Sequence, residues 1–149
     1  MKKFRFSLDT VLSYKQQVQD VLQGEHAEIL GRVQSQEELL ASLWERYRAC
    51  GAEYQTRCET GLPMTEVLFY QSELRAMERE LQKETALLDT LRDQAEKKRE
   101  EVVEAKRETS SIEKLREKKL KDYQKAMGKS EEAFIEEFVS TGRIREAVN

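Results

Sequence analysis

His26, Cys50 and Cys58 have the widest chemical reach of any residues in this 149-residue chain, and their spacing limits what they can do. His26 is the single histidine, and neither cysteine stands at metal-ligand spacing from it. A general base needs a pocket and a positioned partner, and nothing around His26 in the sequence supplies either. The two cysteines lie eight residues apart, which on one helix separates them by about 12 Å along the axis, beyond disulfide reach. They read as reduced thiols, Cys50 behaving as a small hydrophobe and Cys58 lying near a turn. Acidic pairs such as Glu100-Glu101 read as solvated helix faces, and no glycine-rich loop could cradle a phosphate. The expectation is a non-enzymatic chain with no catalytic, cofactor-binding or metal-binding residue.

The element that positions His26 and Cys50 is a heptad ladder, because both fall on one. It runs Leu8, Leu12, Lys15, Gln19, Leu22, His26, Ile29, Val33, Gln36, Leu40, Leu43, Tyr47, Cys50, Tyr54, stepping four then three. A second ladder steps three then four: Val67, Tyr70, Leu74, Met77, Leu81, Glu84, Leu88, Leu91, Ala95, Lys98, Val102, Ala105, Thr109, Ile112. A mean step of about 3.5 residues keeps one seam facing a partner helix, so each ladder predicts a coiled-coil strand. Between them the one strong breaker is Gly61-Leu62-Pro63. The fold class is all-α: a long two-helix antiparallel coiled-coil hairpin in one domain spanning residues 1–149, with a short C-terminal amphipathic helix.

Predicted bounds follow from caps and breakers. Helix 1 spans about 8–58, with Ser7 or Asp9 as its cap and Phe4 or Phe6 packing beside Leu8. A turn spans 59–65, and Thr65 caps a helix 2 of about 66–127. Gly128 and Ser130 then suggest a break before a short helix over about 130–140, whose stripe is Phe134, Ile135, Phe138 and Val139. Folding back through the turn should pair residues whose numbers sum to about 124, such as Tyr54 with Tyr70, Leu43 with Leu81 and Leu12 with Ile112. Layers near the turn are aromatic or aliphatic. Towards the termini polar layers intrude, at His26 with Lys98, Gln19 with Ala105 and Lys15 with Thr109, so that end should fray more readily. Glu117 to Met127 and the Phe134 to Val139 stripe are left without an intramolecular partner. Trp44 flanks the seam and should cover the edge of the core.

Composition agrees: 37% of residues are charged and 38% apolar, with one proline and six glycines, the profile of long helices that spend their apolar residues on a thin seam. The product should be a rod. The net charge of −3 comes from interleaved signs, which argues against nucleic acid as a partner. Lys114 to Lys125 is the locally basic exception, read as a solvated helix face with Glu-to-Lys support at i,i+4 spacing, the alternative being docking to an acidic protein or membrane surface. The N-terminus lacks the apolar run of a signal peptide, and no stretch approaches the ~20 apolar residues of a membrane span. A protein inside the cell, with no transmembrane segment, is expected.

Phe4-Arg5-Phe6-Ser7-Leu8 with Val11-Leu12, Tyr70-Gln71 just after the turn, the run Ile112 to Lys118 and Glu136-Glu137-Phe138 together resemble the flagellar FliJ family over almost the whole chain. The resemblance implies a stalk-like coiled coil of the flagellar type III export apparatus, similar to the stalk of the rotary ATPase γ subunit. It implies as partners a hexameric export ATPase (FliI-like), an export gate protein (FlhA-like) and export chaperones, and a location in the cytoplasm, peripheral to the inner membrane. Gate contact would fall on Tyr70, Glu73, Met77, Glu80 and Glu84, with Glu73 where relatives carry an aromatic side chain. The ATPase ring would take the end bearing Phe4, Phe6, Lys118, Lys121, Lys125, Phe134 and Phe138. A generic coiled-coil adaptor or export chaperone, such as the stalk protein of a non-flagellar type III system, is the alternative reading.

Overall fold

A computed structural model describes residues 2–148. Two helices account for nearly all of them: α1, Asp9–Thr60, and α2, Met64–Val148. Gly61 joins them with φ of 94°, a left-handed backbone that glycine adopts without a Cβ penalty. Its N–H donates to the Cys58 carbonyl at 3.3 Å, and Thr60 Oγ1 donates to the Arg57 carbonyl at 3.0 Å.

The helix ends differ from the sequence expectation. At α1 the Phe6 carbonyl accepts from the Asp9 N–H at 3.2 Å and the Leu8 carbonyl from Leu12 at 2.8 Å. At α2 the Pro63 carbonyl accepts from Glu66 and Val67, so Thr65 lies inside the first turn rather than capping it. Proline suits this junction because it has no N–H to lose at a helix start. The turn therefore shrinks to Gly61-Leu62-Pro63.

The larger correction lies downstream. The expected break at Gly128–Ser130, and with it a separate short helix over 130–140, is replaced by uninterrupted α2. A glycine inside a helix costs only about 1 kcal/mol relative to alanine. Ala126, Met127, Lys129, Glu131, Glu132 and Ala133 flank it with good helix formers, and their combined preference outweighs the Ser130 cap signal.

The chain divides into two compact units, one comprising residues 20–103 and the other both ends of the chain, residues 2–19 and 104–148. In the first, the core is Leu40, Leu43, Leu81 and Leu88, with Val33 and Tyr47 packed against it. Tyr54 and Tyr70 meet near the turn with ring centroids 5.4 Å apart. One buried polar layer interrupts the leucines: Gln36 Nε2 donates to the Glu84 carbonyl at 3.0 Å and to its carboxylate at 2.5 Å. Both ends of that layer are thereby satisfied, which a buried amide requires.

In the second unit α1 and α2 segments pack through Leu12, Ala105 and Thr109. Thr109 is only 3% exposed, and its hydroxyl donates to the Ala105 carbonyl at 2.9 Å. Lys15 turns its ammonium outward to Glu108 at 2.7 Å. In the first unit Lys98 does the same, reaching Glu25 and Glu101, each at 2.9 Å. Seam lysines thus lend their methylenes to the packing and keep their charge in water.

All 28 ladder positions are buried or half-buried, so the period identified the seam at every step. Cross-helix pairs centre on the predicted register: Lys15–Glu108, Glu25–Lys98 and Glu53–Tyr70 sum to 123 and Tyr47–Glu78 and Asp9–Arg116 to 125. Long side chains reach further along the partner helix in Gln16–Glu113 and Glu37–Arg92, which sum to 129, Arg57–Tyr70, which sums to 127, and Gln36–Glu84, which sums to 120.

Candidate interaction surfaces

Near the turn, the seam phase of Tyr70 directs its ring inward, where it is 7% exposed. Its hydroxyl donates to Glu53 at 3.0 Å and accepts from Arg57 at 3.2 Å, and Arg57 also meets Glu66 at 2.6 Å. The arginine thereby braces the last turn of α1 against the first turn of α2. Met77 and Glu84 are half-buried seam residues as well, whereas Glu73 and Glu80 are exposed. The five residues expected at a gate-binding face therefore divide into three that bind the two helices together and two that face solvent.

The apolar surface near the turn lies elsewhere. Met64, Leu68 and Phe69 are 58–70% exposed, and Phe69 stands edge-on to Tyr70 at 6.0 Å. Sequence reading missed them, although Leu68 and Phe69 sit between ladder positions Val67 and Tyr70 and so had to point away from the seam. Further along, Trp44 is half-exposed as expected, edge-on to Tyr47 at 5.8 Å and covered by Arg48. It opens a groove of about 410 Å³ lined by Tyr47, Glu78, Leu81 and Asp89.

In the unit holding the termini, the arm before α1 is ordered against α2. Phe4 packs on Tyr123 at 5.6 Å between ring centroids, Arg116 lies over the Phe4 ring at 5.6 Å, and the Tyr123 hydroxyl donates to the Lys2 carbonyl. Phe6 is buried. The expectation of an unpartnered stretch from Glu117 is thus corrected, because the arm covers α2 from Arg116 to Tyr123. Of the residues expected to meet a ring, Phe6 is taken up by the fold and Phe4 is half-buried. Lys118, Lys121, Lys125, Phe134 and Phe138 are exposed. From Lys129 to Val148 every residue is exposed, including Phe134, Ile135, Phe138, Val139, Ile144 and Val148.

Titratable groups shift here through pairing or burial. Hydrogen bonding to Glu108 raises the Lys15 pKa, and hydrogen bonding to Glu78 raises that of Tyr47. Burial pushes the Cys50 thiol up, aided by Glu53 and Glu73, which lowers its reactivity. The Glu96 carboxyl is held below its usual range by its hydrogen bonds from Arg99. Among the described residues no three His, Cys, Asp or Glu side chains gather as metal ligands, and no helix is long and apolar enough to cross a membrane.

Two long helices packed along a heptad seam, with no strand among the described residues, define an all-helical coiled-coil protein. The chain belongs to the FliJ family: the family model described as flagellar FliJ protein matches residues 4–147. That family is a non-enzymatic, flagellar export-associated component. No curated protein and no solved structure matches the chain.

Proposed function

We propose that this chain is the coupling stalk of the flagellar type III export apparatus. The unit with both termini enters the central hole of a FliI-like export ATPase hexamer, and the turn-bearing unit contacts a FlhA-like export gate. The family match over residues 4–147 carries this reading. Its support in the chain is the unequal dress of the two units. The α2 segment from Lys129 to Val148 is helical yet wholly exposed, with six large apolar side chains in water, and such a helix is suited to a groove or hole in a partner. Near the turn, Met64, Leu68 and Phe69 offer a smaller apolar surface, with Glu73 and Glu80 as the exposed carboxylates of the expected gate face. Binding at either surface would place the chain in the cytoplasm, at the inner face of the membrane, and a role in recycling export chaperones follows from the same docking sites. The chain itself supplies no turnover.

Mixing the purified protein with its cognate export ATPase tests the reading. Promotion of hexamer assembly and a rise in ATP hydrolysis are expected, and no change in either would contradict it.

A further inference from the structure

Charge in this chain is less evenly spread than its sequence order suggests. Residues 2–5 and 114–129 hold ten Lys and Arg against Glu117 and Asp122, a net charge of +8, while the remainder of the chain carries −11. Folding brings these two stretches together, because Phe4 seats the arm on Arg116 and Tyr123. Lys2, Lys3, Arg5 and Lys119 then line one open groove of about 880 Å³.

The second half of this positive charge faces the other way. Lys114, Lys118, Lys121, Lys125 and Lys129 recur at steps of four, three, four and four residues, which aligns them along one helix face for roughly 22 Å. Lys118 lies about 200° around the helix from Arg116, and Lys121 about 200° from Tyr123, so the stripe is turned away from the arm. All five lysines are exposed. Among the described residues only Lys121 of the five has a carboxylate within 4.0 Å, Glu117 at 3.4 Å with both side chains at least 65% exposed. Pairs so open to water contribute little to the fold, so the stripe is free to serve a partner.

Cations on opposite sides of one helix segment form a collar, and a collar selects the shape of its partner. A flat anionic surface such as a membrane can touch the stripe or the arm but not both at once. We infer that this segment is gripped by a protein surface that closes around it and is lined with Asp and Glu carboxylates. Resting on the coupling-stalk reading, the inference assigns that lining to the hole of the export ATPase ring, at the level of Lys114 to Lys129. Complementary charge of this kind acts through encounter rate and salt dependence. The attraction weakens as added salt shortens the screening length.

Two variants separate the possibilities, both measured for binding to the cognate ATPase hexamer: Lys118→Gln/Lys121→Gln/Lys125→Gln in the stripe, and Lys2→Gln/Lys3→Gln/Arg5→Gln in the arm. All six sites are exposed, and far-UV circular dichroism with amide exchange over residues 116–123 verifies that the arm stays seated. Each triple variant is expected to weaken binding about tenfold at low salt, and the wild type to lose affinity steeply between about 50 mM and 500 mM salt. Unchanged affinity in both variants would overturn the inference while leaving the coupling reading intact. Loss from the stripe variant alone, with wild-type binding to vesicles rich in anionic phospholipid, would overturn it in favour of a flat membrane contact. Failure of the wild type to engage the ATPase at any salt concentration would remove the coupling reading and the inference with it.

Discussion

The turn-bearing unit and the unit holding the termini are built from the same two helices, yet they use their seams differently. Between residues 20 and 103 the seam is sealed by Leu40, Leu43, Leu81 and Leu88, fixed by one polar layer at Gln36 and Glu84 and clasped by Arg57. In the unit holding the termini the buried helical residues are Leu12, Ala105 and Thr109, and Phe6 of the arm is buried as well. There an irregular arm supplies the aromatic packing that a second helix supplies elsewhere. The leucine core lies in the unit with the turn, and the wholly exposed helical stretch in the unit with the termini. Helices that bind a partner have to leave surface uncovered, and a well-sealed seam elsewhere allows this without loss of the fold.

The largest expected difference is in packing. Leu81→Ala removes a side chain that is 5% exposed at the centre of the core and should cost about 3 kcal/mol in urea unfolding. Leu12→Ala, among polar layers, should cost about half as much. Equal losses would erase the contrast between the units. Next in size is the arm. Phe6→Ala should release it, raising amide exchange across residues 116–123 by more than tenfold while leaving residues 40–88 unchanged. Tyr123→Phe, which deletes only the hydrogen bond to Lys2, should give a smaller rise, in keeping with about 1 kcal/mol for one such bond.

A third comparison targets the buried polar layer. Gln36→Leu with Glu84→Leu replaces it by apolar side chains and should raise the melting temperature. Cysteine pairs placed to report register should then cross-link in more than one alignment, as polar layers specify register at a cost in stability. Gln36→Leu alone should destabilise, because Glu84 loses its partner.

The smallest effects are alkaline, one in each unit. Lys15 has its pKa raised above 10.5 by Glu108, and Tyr47 above 10.0 by Glu78. In both cases the folded state holds the proton more tightly than the unfolded chain. The stabilisation is therefore complete below those ordinary values and is lost as pH rises through the raised ones. Lys15→Met should flatten the loss of exchange protection above about pH 10 only in the unit with the termini, and Tyr47→Phe only in the unit with the turn.

Much of this contrast was legible in the sequence because a period of 3.5 is a strong signal. Every ladder residue from Leu8 to Ile112 is buried or half-buried, and the decline from leucine layers to polar ones was visible in the same ladders. What the sequence concealed lacked a period. Residues 2–8 form no helix, so although a phenylalanine of the arm is expected beside Leu8, nothing in their spacing announces that Phe4 reaches Tyr123. Gly128 with Ser130 carries a local stop signal, and the helix preference of their neighbours overrides it. The residues expected at a gate divide in exposure because Tyr70, Met77 and Glu84 are ladder positions and must point to α1, while Glu73 and Glu80 are not. By the same logic Leu68 and Phe69, lying off the ladder, were available to be read as surface. The cationic collar needed the fold, since its two halves stand more than a hundred residues apart in the chain.

Amide hydrogen exchange of the free chain and of its mixture with the cognate export ATPase tests the central claim most directly. Free, residues 129–148 should exchange fastest and residues 40–88 slowest. In the mixture, new protection should appear in residues 2–8 and 104–148 and leave residues 60–75 unchanged. Protection confined to the turn region, or no change anywhere, would contradict the assignment of the termini-bearing unit to the ATPase.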